Sequence, residues 1–176
     1  MKAFEELIDQ DVRWVQPSSW KEYYELRTDS GDVLATIHKP SIWRNRVEVD
    51  AVGNRWTFER KGFWRFRIEI KSVGTDSQPA VFHYGNWMVS GELRFNDGRL
   101  FKWKQSDFWG SKWAWTTPDG EPIGGFKVGG FMRLNSDIRL EPGALDMPSL
   151  PLLIFLGWYL YLLHYQDSSS AAVVGG

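Results

Sequence analysis

The chain has 176 residues, 43% hydrophobic and 24% charged, ordinary globular proportions that exclude wholesale disorder, a collagen-like repeat and a coiled coil. It contains no cysteine, which excludes disulfides, thiol catalysis and cysteine-ligated metal centres. Its formal net charge of −1 excludes a nucleic-acid binder that works by overall basicity. Eleven Trp, eleven Phe and six Tyr bring the aromatic fraction to 16%. Such side chains suit a pleated, half-buried surface, so a single domain dominated by β-structure is expected at this length.

Residues 1–12 read as a lead-in with Phe4, Leu7 and Ile8 on one side of a short turn, and without the apolar run of a secretory signal. From Arg13 to Leu140, apolar and polar residues alternate in short segments separated by turn signals, the pattern of a β-meander. Strands are predicted near Trp20 to Arg27, Val33 to His38 and Arg46 to Val52. The clearest runs from Phe63 to Lys71, with Trp64, Phe66, Ile68 and Ile70 on one face and Arg65, Arg67, Glu69 and Lys71 on the other. Pairing it with Arg55 to Glu59 through a three-residue loop, Arg60-Lys61-Gly62, sets Phe58 opposite Trp64, Trp56 opposite Phe66 and Arg55 opposite Arg67.

A strand from Ala80 to Tyr84 precedes a second hairpin at Asn96-Asp97-Gly98. A three-residue loop there pairs Leu93 with Phe101 and Glu92 with Lys102, whereas a one-residue slip would pair Leu93 with Lys102. A third hairpin at Pro118-Asp119-Gly120 brings Trp113 and Trp115 towards Gly125 and Ile123, and a last strand is expected from Phe131 to Leu140. About ten to twelve strands exceed what one open sheet carries without curling or splitting, so a closed barrel or a sandwich follows.

Between Asp146 and Asp167 no residue is charged, and Leu150 to Tyr165 holds thirteen large apolar or aromatic residues. At about 1.5–3 kcal/mol for each one buried, this segment cannot stay in water. A helix apolar all round fills a core or spans a membrane. The dense stretch from Leu150 to Leu163 makes roughly 21 Å of helix against a hydrocarbon thickness of ~30 Å, and no Lys or Arg flanks it. Core filling is the stronger expectation and a tail anchor the alternative. Residues 167–176 are small and polar and read as a flexible tail.

This order of elements resembles the tubby-like superfamily, which includes LURP-one-related proteins and phospholipid scramblases. The resemblance is carried by RWTFERKGFWRFRIEI, GELRFNDGRLFKWK, the PDG hairpin and LDMPSLPLLIFLGWYLYLL, from about Trp14 to Tyr165. It implies a mainly β fold: a closed antiparallel β-barrel of about 10–12 strands, residues 13–166, wrapped around a hydrophobic C-terminal α-helix at about 150–165. It also implies a surface that binds phosphoinositide-type headgroups. The acidic calcium loop and cysteine-rich segment of scramblases are missing, so calcium-dependent scrambling is not implied. On this reading Trp56, Trp64, Phe66, Ile68, Leu93, Phe101, Trp103 and Trp113 line the interior and touch the helix.

From Lys39 to Lys71 nine basic residues face four acidic ones, a local balance of +5 that leaves −6 for the rest of a chain whose total is −1. The predicted register places Arg55 opposite Arg67, an unfavourable pair that becomes useful with an anion between them. Arg46, Arg55, Arg65 and Arg67 are therefore the candidate anionic-ligand residues, with the solvated outside of a barrel as the plainer account. The expected partner is anionic lipid or a membrane surface ahead of nucleic acid, the identity of any protein partner stays open, and the expected setting is cytoplasmic or membrane-associated. His38, His83 and His164 have no metal-ligand spacing, and His164 is expected to face the last helix carbonyls. No GxSxG, P-loop or HExxH occurs, so no catalytic residue, cofactor or metal is expected. The expectation is a non-enzymatic barrel; the alternative is a scramblase-like protein with its C-terminal segment in the bilayer.

Overall fold

The computed structural model describes residues 11–20, 23–38, 46–51, 54–62, 66–74, 79–85, 88–130 and 133–174. Twelve strands are present among them: β1 (Val12–Val15), β2 (Tyr23–Thr28), β3 (Val33–His38), β4 (Arg46–Ala51), β5 (Asn54–Lys61), β6 (Arg67–Ser72), β7 (Ala80–Tyr84), β8 (Ser90–Phe95), β9 (Leu100–Gln105), β10 (Lys112–Thr116), β11 (Pro122–Gly129) and β12 (Asn135–Leu140). Each pairs antiparallel with its chain neighbours, and β12 returns to β1 with Ser136 opposite Trp14 and Ile138 opposite Val12, which closes the barrel. The alternation has its physical reward here: Val47 and Val49, Phe101 and Trp103, or Trp113 and Trp115 are buried while their strand neighbours are not all so.

Helix α1 (Leu150–Val174) follows a 3-10 turn at Pro142–Ala144. Leu152 to Leu163 are buried without interruption, and the helix is contacted from opposite sides of the barrel. Trp14 of β1 lies against Phe155 and Trp158, Tyr24 of β2 meets Trp158, Phe58 of β5 meets Tyr159, and Trp113 of β10 meets Tyr161. The indole of Trp115 donates to the Leu153 carbonyl at 2.9 Å. Gly157 lets β10 and β11 come close: a Cβ there would stand 2.7 Å from Phe126 Cζ and 2.8 Å from Trp115 Nε1. The apolar segment is thus the filling of the barrel, and among the described residues no helix is long and apolar enough to cross a membrane.

Four expectations are corrected. The hairpin of β5 and β6 pairs Phe58 with Ile70, Trp56 with Ser72 and Lys61 with Arg67. The chain keeps the predicted faces but shifts the register by six residues, so that Arg60 and Lys61 lie in the strand rather than in the loop. An even shift preserves which side chains point inward, so hydrophobic patterning does not oppose it. Trp64 and Arg65 lie outside the described residues; Phe66 is half-buried with the Arg60 guanidinium 4.0 Å from its ring centroid. In the hairpin of β10 and β11, a bulge between Trp115 and Thr116 pairs Trp113 with Phe126 and Trp115 with Gly124, one residue off expectation. The helix continues through the expected flexible tail to Val174, and His164 consequently lies ten residues before its end. The Asn96-Asp97-Gly98 hairpin stands as expected, with Leu93 opposite Phe101 and Glu92 opposite Lys102. The lead-in residues Phe4, Leu7 and Ile8 fall outside the described residues.

Candidate anion-binding face

Of the predicted arginines, the three among the described residues, Arg46, Arg55 and Arg67, are each paired with a carboxylate. Arg46 on β4 pairs with Glu48 at 3.1 Å, Arg55 on β5 with Asp50 at 2.7 Å, and Arg67 on β6 with Glu69 at 3.1 Å. Arg55 is not opposite Arg67: its own cross-strand partner on β4 is Asp50, while Arg67 lies between Lys61 and His83. Glu69 is buried, and burial pushes its carboxyl up, but hydrogen bonds from Lys61 and Arg67 outweigh this and hold it below the usual carboxylate range. Contacts with the same Glu69, reinforced by Glu59, raise the Lys61 ammonium. The described part of the stretch with the largest basic excess therefore folds into a lattice of ion pairs, some within a strand, as Arg46–Glu48 and Arg67–Glu69 are, and some across strands, as Arg55–Asp50 and Lys61–Glu69 are, each of modest value at an exposed surface.

Unpaired cations gather elsewhere. On the outer face of β9 to β12, Lys104, Lys112, Lys127 and Arg139 form no ion pair among the described residues, nor does Arg133 in the connection from β11 to β12. Lys112 is directly opposite Lys127, a like-charge pair with an electrostatic cost. The carboxylate opposite Lys127 on its other side, Asp137, is turned to Arg13 at 3.8 Å. Between them the outward positions of β10 and β11 hold Ala114 and Gly125, which are register partners. A methyl group and a bare Cα there leave an open depression of about 630 Å³, rimmed by four cations, Arg13, Lys112, Lys127 and Arg139, and two carboxylates, Asp11 and Asp137. Donors around a shallow floor can take an anion with several oxygens, such as a phosphate.

The flanking loop between β9 and β10 is built rather than slack. The Asp107 carboxylate accepts from Ser111 Oγ at 2.6 Å, from the Lys112 backbone at 2.8 Å and from the Ser111 backbone at 3.3 Å. The Ser111 hydroxyl bond is the main reason that its carboxyl sits below the ordinary range. Trp113 Nε1 donates to the Gly110 carbonyl at 2.9 Å, and Gly110 adopts φ +73°, a conformation that favours glycine. Sequence reasoning missed this face because its charges are cancelled in the running total by acidic residues elsewhere. The usable signal was the run Lys102 to Trp113, KWKQSDFWGSKW, where lysines bracket an aromatic pair.

No group of three His, Asp or Glu side chains that could hold a metal is present among the described residues. Buried polar atoms without a hydrogen-bond partner, the hydroxyls of Tyr84 and Tyr159 among them, lie inside the barrel, where burial holds both phenols neutral by raising them far above their usual range. Comparison with known proteins finds no match for this chain among protein-family models, curated proteins or solved structures.

Proposed function

We propose that the chain is a non-enzymatic, tubby-like barrel that binds anionic lipid headgroups through its basic outer face, with the site on β10 to β12 rather than on β4 to β6. The observation that carries this reading is the Lys112–Lys127 pair: two directly opposed lysines that form no ion pair among the described residues, beside Arg139 and a depression floored by Ala114 and Gly125, with Asp137 turned to Arg13. A sheet that pairs Arg46, Arg55 and Arg67 with neighbouring carboxylates leaves these two like charges opposed and without an ion pair, and an anionic ligand would offset that cost. The tubby-like part rests on element order, a closed meander threaded by its C-terminal helix.

The test is co-sedimentation of the full chain with phosphatidylcholine vesicles and with vesicles of phosphatidylcholine and phosphatidylserine in equal parts. Binding to the anionic vesicles alone is expected, weakening as salt rises because exposed charges are screened over about 8–10 Å. Lys112→Glu with Lys127→Glu should abolish it, while Arg55→Glu with Arg67→Glu should reduce it far less. Equal partitioning to both vesicle types, or no loss with the lysine pair replaced, overturns the proposal.

A further inference from the structure

In an antiparallel meander the connections alternate between the two ends of the barrel. Those from β1 to β2, β9 to β10 and β11 to β12 share one end, and the C-terminal half of α1 emerges there, fixed by Asp167 on Arg60 at the end of β5 and by His164 against Trp113 at the start of β10. Every strongly exposed aromatic side chain among the described residues is at this end: Trp20 (93% exposed), Phe108 (89%) and Trp109 (86%), with Tyr165 (42%) on the emerging helix. The exposed large apolar residues of the opposite end are Val33 and Val73, neither aromatic.

Phe108 and Trp109 pack edge to face at 5.3 Å on the tip of the loop that Asp107 and Gly110 hold in shape. Their exposure is thus preorganised, and two large aromatics standing in water give up the hydrophobic free energy that burial would return. Directly below the tip stand the unpaired cations Lys104 near the end of β9, Lys112 at the start of β10, Lys127 near the end of β11 and Arg133 in the next connection. Aromatic side chains above a ring of Lys and Arg match the membrane–water interface, where the rings enter the acyl boundary and the cations meet headgroup phosphates.

We infer that the barrel docks end-on to an anionic bilayer, inserting Phe108 and Trp109 at the interface, with Trp20 at the same end of the barrel. This orientation rests on the lipid-binding reading above and adds an apolar component to it. Because the chain has no cysteine, single labels are unambiguous. An environment-sensitive dye on Ser106→Cys, beside the tip, should shift its emission to the blue on adding phosphatidylcholine–phosphatidylserine vesicles. The same dye on Asp119→Cys, in the β10 to β11 turn at the far end, should not shift. Phe108→Ser with Trp109→Ser, at unchanged circular dichroism, should weaken vesicle binding about tenfold or more. If the chain sediments with these vesicles but both labels stay water-like, or the serine variant binds equally well, end-on insertion is wrong and the electrostatic reading survives. If the chain does not sediment with them at all, both are wrong.

Discussion

The guanidinium of Arg60 holds the carboxylate of Asp167, 107 residues further on, through Nη1 to Oδ1 at 3.4 Å and Nη2 to Oδ2 at 3.1 Å. Arg60 occupies an inward position on β5, follows Phe58 in the interior row, and has the Phe66 ring 4.0 Å away. It joins the barrel mouth to the helix beyond its apolar part. Its side chain is only 18% exposed, against 39% for Asp167, so the two partners are unequal when stranded. Asp167→Ala should cost about 1–3 kcal/mol in chemical denaturation by leaving a largely buried cation unpaired. Arg60→Met, which leaves a carboxylate that water can reach, should cost less. Equal losses would show that the pair acts only through packing.

Gly157→Ala should destabilise the fold by about 1–3 kcal/mol as overpacking does, although alanine is the better helix former by about 1 kcal/mol. The reason is the 2.7 Å and 2.8 Å approaches to Phe126 and Trp115. Trp115 cannot turn away without releasing its bond to the Leu153 carbonyl. Thermal unfolding of the variant checks the sign; a raised midpoint would mean that the helix is free to shift.

Truncation after Pro148 should abolish cooperative folding. The barrel would keep its strand ladders but lose the partners of Trp14, Tyr24, Phe58 and Trp113, an emptied interior far larger than the cavity of a single Leu→Ala change, which already costs about 3–5 kcal/mol. A truncated chain with a native-like unfolding transition would identify the helix as an appendage.

Burial against Trp113 lowers the His164 imidazole from the ordinary histidine value of 6.5, with Asp167 acting in the opposite direction. Its contribution to stability is complete above 6.5 and is lost as pH falls from there through the lower folded midpoint, because the unfolded chain takes up the proton first. Asp167→Asn should move the imidazole midpoint further down in an NMR titration. The midpoint should rise towards 6.5 when urea unfolds the chain.

Lys112→Glu should raise stability by about 0.2–1 kcal/mol, since it replaces a like-charge cross-strand pair with an opposite one, while weakening association with anionic vesicles. A site kept for binding has this opposition between stability and function. A stabilised variant that still binds would separate the lysine pair from the ligand.

The sequence by itself determined the meander, its inward faces, the tight hairpin at Asn96 to Gly98 and the helix that fills the barrel. Each of these follows from local information: period-two alternation, a turn residue such as Gly98 at φ +93°, and an uncharged run that must leave water. Pairs two apart on one strand, Arg46 with Glu48 and Arg67 with Glu69, follow from the same alternation; the tertiary structure alone decided which charges are neutralised across strands, as Arg55 is by Asp50 and Lys61 by Glu69. Phe58 keeps its inward face whether it is opposite Trp64 or Ile70, so patterning is blind to the six-residue shift that separates Arg55 from Arg67 and brings Arg60 into reach of Asp167. Ion pairs across a sheet depend on register and on closure of the barrel, and each is worth too little to leave a mark on the order of residues. The lysines that bracket Phe108 and Trp109 were visible in the run Lys102 to Trp113, but that Lys112 stands opposite Lys127 and that neither forms an ion pair emerged only once every strand had its neighbours.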